Sequence, residues 1–258
     1  MNLRGADLRR VRREALESLE RHGISTTLVV TVKRGVNDRE IGAIVKHALA
    51  WRCVRGVTFQ PVQDAGRNEN FDAKRDRVLL SEIRRAVIED SGVFGADDMI
   101  PLPCNPESIS IGYGLRNGSQ VLPVTSLVPR EELVAALPNT INFEKQPVLK
   151  DRFIDLFSLS SGPNNSAERL HEFLCCLPKV QAPASLSYEN VFRVAIVQFM
   201  DRYNFCVGGV KRSCIHFVTP NGQIIPFDTY NLFYRNGAID RIRAQLAANR
   251  PAIEAVPS

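Results

Sequence analysis

Three cysteines of this chain stand where their thiolates could hold a metal ion or an iron–sulfur cluster. Cys104 lies in PLPCNPES, a proline-bounded loop whose backbone amides could bond cluster sulfur. Cys206 and Cys214 flank VGGVKRS, whose glycines permit a close backbone approach. No CxxC pair is present. Because three candidates are one short of a closed four-cysteine site, we expect at most one site, incomplete within this chain.

The remaining cysteines favour other roles. Cys53 follows HALAW at a predicted helix end and is most simply a small, buried, apolar residue. Cys175 and Cys176 lie on an amphipathic segment without ligand spacing. Six cysteines in 258 residues do not form a disulfide scaffold.

A hairpin is expected to carry Cys214 and His216, which share one face of a strand because they are two residues apart. The Asn221–Gly222 pair marks its turn. A two-residue turn would place Cys214 opposite Thr229, and a three-residue loop would place it opposite Asp228. The residue types leave both registers open, and His216 is expected to be a hydrogen-bonded strand residue.

A second set of polar residues lies at the carboxyl ends of two predicted strands. The stretch LVVTVKRGVNDREIG, residues 28–42, indicates a strand, a basic loop and a helix, and VRGVTFQPV, residues 54–62, is a second strand. Helices and strands alternate here with short links, which predicts a parallel sheet whose carboxyl-end loops gather functional groups. Thr31, Lys33 and Gln60 would lie at that rim, where an α/β protein binds its ligand.

The helices around that rim follow from apolar periodicity and end signals. An amphipathic helix opens the chain and ends near Gly23, and another runs from about Ala73 to Asp90. Asn37 and Glu40 are spaced as a capping box that would start the helix after the basic loop.

Only two βα units can be counted before the composition changes near residue 93. A complete eight-stranded barrel needs about 250 residues of continuous alternation, so residues 1–92 predict part of a (β/α) barrel with an open sheet edge. Residues 93–258 predict an α+β C-terminal region that begins irregularly and ends in β-rich segments and a last helix. The expected fold class is therefore α/β, a partial barrel followed by that region. Its predicted helices are 130–137, 147–160, 166–177 and about 239–249.

Composition narrows the classes of function. Lys and Arg exceed Asp and Glu by 33 to 28, a net charge of +5, and no basic run is interleaved with aromatics, so no nucleic-acid partner is expected. No apolar stretch approaches the roughly 18 to 20 residues that span a bilayer, and the first residues lack a signal-peptide core. A cytoplasmic protein without a transmembrane segment is the expectation. HExxH and GxSxG are both absent, which argues against zinc-hydrolase and serine-hydrolase chemistry.

Several segments together resemble radical S-adenosylmethionine enzymes. They are TTLVVTVKRGVNDREIGAIVKHAL, VRGVTFQPVQDAGR, PLPCNPESISIGYG and, most strongly, FMDRYNF with KRSCIHFVTPNGQIIPFDTYNLFYR. The last segments resemble the branch that includes the archaeal tetraether-lipid synthase. The likeness extends over nearly the whole chain but matches only the rear part of such a protein.

The resemblance implies two cofactors, a four-iron four-sulfur cluster and S-adenosylmethionine. In the superfamily, three cysteines of a CxxxCxxC motif hold the cluster, which reductively cleaves S-adenosylmethionine to a deoxyadenosyl radical. This sequence has no CxxxCxxC, and in a full-length relative the motif would precede residue 1. The N-terminal part of the barrel is therefore expected to be missing, and cofactor binding by this chain alone is in doubt.

The resemblance also assigns residues to these cofactors. Thr31 and Lys33 would lie near the methionine or ribose end of S-adenosylmethionine, and Gln60 near its adenosine. Relatives carry clusters beyond the radical-generating one, so an auxiliary cluster is the role implied for the metal candidates. These are Cys104, Cys206 and Cys214.

Two functions compete on this basis. The first is the C-terminal part of a radical S-adenosylmethionine enzyme that modifies an unreactive carbon centre of a small molecule or a lipid. An upstream segment or a separate chain would then supply the missing barrel half. The second is a non-catalytic truncated remnant that acts as a binding or electron-transfer module. A product that does not fold alone is the third and simplest alternative.

Overall fold

Two compact units make up the part of the chain that the computed structural model describes. The described residues are 5–136 and 191–248, apart from positions 66, 67, 69, 104, 118, 119, 127, 128, 214 and 236. The first unit comprises chain spans 1–62 and 74–198, and the second comprises 63–73 and 199–258. The boundary between residues 92 and 93 rests on composition and stays a prediction.

A mixed sheet organises the first unit. The described strands are β1 (Thr26–Val32), β2 (Val54–Pro61), β3 (Ile100–Pro101), β4 (Ile109–Asn117), β5 (Gln120–Pro123) and β6 (Val191–Val197). Their order is β1-β2-β6-β4-β3, and β5 also pairs with β4. Strands β1, β2 and β6 run parallel, whereas β4 runs antiparallel to β6, β3 and β5. Among the described strands, β1 therefore has a neighbour on one side only.

Two helices of the first unit pack on one face of this sheet. The helices of the first unit are α1 (Arg9–Arg21), α2 (Ile41–Leu49), α3 (Ala73–Asp76), α4 (Leu80–Asp90) and α5 (Arg130–Ala136). Buried apolar residues of α2 and α4, such as Val45 and Ile83, form one core with Phe59 and Ile196 of the sheet. Because side chains alternate along a strand, the residues between these apolar positions point to the opposite face.

Helices α2 and α4 approach closely at a glycine. A Cβ atom added to Gly42 would overlap the backbone carbonyl of Asp90 at the end of α4. The missing side chain therefore sets how near the two helices lie.

The helix predicted from Ala73 to Asp90 is wrong in one respect, because it is interrupted. Helix α3 ends at Asp76, and Leu79 adopts an extended conformation with φ −83° and ψ 153° before α4 begins. A carboxylate oxygen of Glu82 accepts the Leu79 backbone N–H at 2.8 Å, which starts the second helix.

Residues 94–108 are largely irregular, as expected, but the stretch that follows them is a strand. The stretch ISIGYGLRN forms β4, which pairs with β6 over Ile109–Leu115. Gly112 of β4 faces Met99 and Phe94, and an added Cβ atom would lie 2.8 Å from the Met99 sulfur. Glycine is needed for this close packing, although it lowers the strand propensity by which the segment was judged.

The second unit contains short elements around an aromatic cluster. Phe227 packs on Phe199 and Phe217, with ring centroids 4.4 and 5.4 Å apart. Its elements are α6 (Val207–Val210), β7 (His216–Val218), β8 (Ile224–Pro226), α7 (Phe227–Thr229), a π-helical turn (Tyr230–Tyr234) and α8 (Ala238–Ala248). The predicted hairpin and last helix are confirmed.

The fold class is confirmed in its coarser form, a mixed α/β architecture with a largely parallel central sheet. In the described residues this sheet does not close into a barrel. The predicted helices at 147–160 and 166–177 lie outside the described residues. Within the described ranges, no helix combines the length and the apolar character needed to cross a membrane.

Candidate ligand-binding face of the sheet

The sheet face opposite α2 and α4 carries polar side chains on its parallel strands. Thr31 of β1 and Gln60 of β2 are register partners, so their side chains lie side by side on this face at the carboxyl ends of the strands. Thr58, two residues before Gln60, points the same way, and all three are half-buried. No described contact engages the hydroxyl of Thr31 or Thr58 or the amide of Gln60. These groups are therefore available to a ligand.

Asn37 fixes the backbone that follows Thr31. Its Oδ1 accepts the Lys33 backbone N–H at 2.9 Å, and its Nδ2 donates to the Thr31 carbonyl at 2.9 Å. The predicted capping box of Asn37 and Glu40 is therefore wrong: helix α2 has Glu40 at its N-cap, without a side-chain capping bond. The Asn37 side-chain amide instead bonds the backbone groups at the end of β1, as a neighbouring strand would. The loop is thus built to hold Thr31 and Lys33 in place.

Lys33 lies beside a buried carboxylate. Its Nζ is 3.4 Å from Oδ2 of Asp76, whose side chain is only 2% exposed, while 23% of the lysine side chain remains exposed. Arg75 already binds both oxygens of Asp76, through Nε at 2.8 Å and Nη2 at 3.0 Å. Because the bidentate arginine is the closer partner, the lysine contact is the weaker of the two.

The neighbouring cation, Arg34, is engaged by other groups of the protein. Arg34 Nη2 lies 2.8 Å from both carboxylate oxygens of Glu82, and Arg34 Nε donates to the carbonyl of Arg77 at 2.9 Å. The Glu82 carboxylate raises the pKa of the Arg34 guanidinium. This pair ties the loop to the start of α4, so Arg34 is structural and Lys33 is the cation with ligand-binding potential.

Arg193 of β6 is a polar residue of this face that the sequence reasoning missed. It is the register partner of Gly56 on β2, and its Nη2 lies 3.4 Å from Oγ1 of Thr27 on β1. The signal that could have found it is a charged residue in the middle of the apolar strand VFRVAIV, since such a residue needs a reason to be there.

Two of the cysteines discussed above can be placed. Cys53 is buried as predicted, and burial together with the nearby Glu20 carboxylate raises the pKa of its thiol to about 11. Cys206 is exposed in the second unit, and its backbone N–H faces the Met200 sulfur at 3.4 Å. Cys104 and Cys214 lie outside the described residues. The metal-ligand assignments of Cys104, Cys206 and Cys214 all stay predictions.

The hairpin register follows the three-residue alternative. His216 pairs with Pro226 and Val218 with Ile224, and the backbone N–H of Thr219 donates to the Gln223 carbonyl at 2.9 Å. His216 is exposed.

Asp228, the residue named by that register, is buried in the second unit. Its Oδ1 accepts the Met200 backbone N–H at 2.6 Å. Burial raises the pKa of Asp228, and the amide bond opposes that rise only in part. Its described contact is thus a backbone amide.

The described residues do not fit an iron–sulfur cluster. Among them, no group of three or more histidines, cysteines, aspartates or glutamates could hold a metal ion. A thiol with a pKa near 11, such as Cys53, is also a poor source of thiolate. The hydroxyl, amide and ammonium groups of Thr31, Gln60 and Lys33, in contrast, fit the hydroxyls and carboxylate of an S-adenosylmethionine molecule.

Among the described residues, polar side chains without a described partner thus lie at the carboxyl ends of β1 and β2 in a mixed α/β sheet. The chain is similar to the 7,8-dihydro-6-hydroxymethylpterin dimethyltransferase of Methanocaldococcus jannaschii, with 26% identity over 269 aligned positions. The match covers 90% of this chain and 53% of that protein, so the chain spans about half of the relative's length. No model of a protein family matches. The predicted resemblance to radical S-adenosylmethionine enzymes is confirmed.

Proposed function

We propose that this chain contributes the S-adenosylmethionine-binding and substrate-facing part of a radical S-adenosylmethionine enzyme that modifies an unreactive carbon centre. The observation that carries the proposal is the side-by-side placement of Thr31 and Gln60 at the strand ends, both without a described side-chain partner. Similarity to a radical S-adenosylmethionine enzyme over 90% of the chain supports it.

In this proposal each rim residue meets one part of the cofactor. The Thr31 hydroxyl bonds the ribose or the methionine end, and the Gln60 amide, which both donates and accepts, bonds the adenosine. Lys33 binds the methionine carboxylate. Arg75 already binds both carboxylate oxygens of Asp76. Lys33 can therefore turn to the methionine carboxylate without leaving Asp76 unpaired.

A four-iron four-sulfur cluster, when bound, supplies the electron that cleaves S-adenosylmethionine. The described residues do not form its site, so the role proposed for this chain is to bind and orient the cofactor and the substrate. We place the cluster on further strands that pair with the free edge of β1. They would belong either to a preceding part of the same protein or to a separate chain.

A pterin-like small molecule is the substrate class we favour. The relative is named for a pterin, whereas the lipid expected from the tetraether-lipid branch has no support from it. The alternative function is a binding or electron-transfer module without catalysis, and iron uptake by the chain without S-adenosylmethionine cleavage would favour it.

Calorimetric titration with S-adenosylmethionine tests the proposal, first on the purified chain and then on the chain joined to the cluster-bearing segment. We expect saturable binding, which Thr31→Val and Gln60→Ala each weaken about fivefold, since one hydrogen bond contributes about 1 kcal/mol. Gln245→Ala, on the exposed surface of α8, is the matched control and should bind as the parent does. Equal affinity in all variants, or no binding by the completed protein, would refute the proposed site.

Iron uptake separates the catalytic from the electron-transfer alternative. The chain is reconstituted anaerobically with iron and sulfide, alongside variants of Cys104, Cys206 and Cys214, with Cys53→Ala as the control. Iron that is bound by the chain and lost in those variants, without S-adenosylmethionine cleavage by the completed protein, would favour the electron-transfer module. A folded chain that takes up no iron would exclude an auxiliary cluster in it.

A further inference from the structure

Arg193 occupies an unusual position for a guanidinium. It stands on the central strand β6, on the sheet face that α2 and α4 leave free, and it is half-buried. Its side chain reaches across β2 at Gly56 to Thr27 on β1. A Cβ atom at Gly56 would overlap the backbone carbonyl of Arg193, so glycine permits the close approach of β2 and β6 at this point.

Arg193 has few partners among the described residues. It forms no ion pair with a described carboxylate, and the 3.4 Å contact to Thr27 Oγ1 is its one hydrogen bond there. Other cations of the same unit differ: Arg34 is paired with Glu82, and Arg75 with Asp76. A guanidinium has five N–H donors, and most of those on Arg193 point to no described acceptor.

We propose that Arg193, assisted by Thr27, binds an anionic group of the substrate, a carboxylate or a phosphate. The planar fork of arginine matches two oxygens of either group, and a half-buried site strengthens the bond compared with full exposure. The Thr27 hydroxyl can donate to a third acceptor while it still receives the Arg193 contact.

The position of Arg193 sets the shape of the substrate, and this part rests on the proposed function. Thr27 and Thr31 lie on one face of β1, four residues apart, which corresponds to about 13 Å along the strand. Val29, 62% exposed, and Thr58 lie between these two levels on the same face. The substrate is therefore elongated, with its anionic end on Arg193 and its reacting carbon near Thr31 and Gln60.

Titration of the purified chain with inorganic phosphate, and separately with acetate, tests the anion site without any cofactor. The Nε–H resonance of Arg193 in nitrogen-15 NMR spectra reports on the contact. We expect saturable millimolar binding that Arg193→Met weakens at least tenfold and Thr27→Val about threefold. Arg243→Met, on exposed α8, is the matched control and should leave binding unchanged.

Identical phosphate and acetate titrations in the parent and both site variants would overturn the anion site. If Arg193→Met does not fold, as judged by circular dichroism, then Arg193→Lys and Thr27→Val decide, since both keep the strand pattern. Arg193→Met should bind S-adenosylmethionine as the parent does. If the parent chain binds S-adenosylmethionine but not phosphate, the anion site fails. If the parent chain binds phosphate but not S-adenosylmethionine, the proposed function fails.

Discussion

Lys33 and Asp76 lie 3.4 Å apart between Nζ and Oδ2, in a pair of which the lysine is partly exposed and the aspartate is almost completely buried. Asp76 also holds Arg75 through two bonds of 2.8 and 3.0 Å. The lysine is thus the exchangeable member of a cluster of two cations and one carboxylate.

Lys33→Met should separate ligand binding from stability. Because Arg75 remains on Asp76, we expect the free energy of unfolding to change by less than about 1 kcal/mol in urea titrations. The affinity for S-adenosylmethionine should fall about tenfold, since a charge-assisted bond is lost. Arg39→Met removes an exposed charge from the same loop and should have neither effect. A large loss of stability in Lys33→Met would assign the lysine to the fold.

Asn37→Ala should loosen the backbone that positions Thr31 and Lys33. It removes the bonds to Lys33 and Thr31, both 2.9 Å long, and we expect about 1 to 2 kcal/mol of destabilisation in chemical unfolding. Affinity for S-adenosylmethionine should fall as well, because Thr31 and Lys33 lose their fixed backbone.

Asp38→Ala is the comparison for Asn37, since Asp38 bonds Gly35 within the same loop at 2.8 Å without touching Thr31. A weaker cofactor complex in both variants would indicate general loosening of the loop.

The two described thiols should differ strongly in reactivity. Cys53 is buried with a pKa of about 11, and Cys206 is exposed. Since the thiolate is the reactive form, iodoacetamide at pH 8 should modify Cys206 at least about a hundredfold faster than Cys53. Peptide mass spectrometry over a time course measures both rates in one sample. Comparable rates would mean that the segment of Cys53 opens readily.

Asp228 should make stability depend on pH in a defined direction. Burial raises its pKa above the ordinary 3.8, so the folded state holds the proton more tightly, and stability falls as pH rises from about 3.8 through the raised value. Asp228→Asn keeps an oxygen for the Met200 N–H and removes the buried charge. Its melting temperature should equal or exceed that of the parent at pH 7, and the gain should vanish below pH 3.8. A variant that is less stable at every pH would contradict this.

Gly42→Ala tests the approach of α2 and α4. Alanine has the higher helix propensity, but its Cβ atom would overlap the carbonyl of Asp90, so we expect a loss of about 1 to 3 kcal/mol. Gly208→Ala in α6 is the matched control, because its nearest described neighbour is the Cys206 sulfur at 3.8 Å. Equal melting temperatures for the parent and Gly42→Ala would show that the helices can move apart.

Local pattern predicted the local elements of this protein well. Thr31 and Gln60 were assigned to one rim because two apolar strands and a short helical link require parallel pairing, and the register confirms that they are neighbours. Cys53 was expected to be buried from its place at a helix end, and it is.

Other features depend on contacts that are distant in sequence. Arg193 joins β2 only because β6 returns to the sheet from far along the chain, and periodicity within VFRVAIV cannot name its neighbour. Asn37 has the spacing of a helix cap, but its side-chain amide bonds the backbone at the end of β1 and does not cap α2. Gly112 lies in a strand although glycine lowers strand propensity, because Met99 and Phe94 fill the space beside it.

Among the described strands, β1 is unpaired on one side, and this has a consequence for the behaviour of the chain in solution. Its seven residues, TTLVVTV, are all β-branched apart from one leucine, and a strand edge of this kind offers bare amide and carbonyl groups to any extended segment that comes near. Two copies could adhere there at high concentration. Aggregates or dimers of the isolated chain would then reflect this self-adhesive edge and give no measure of the native assembly.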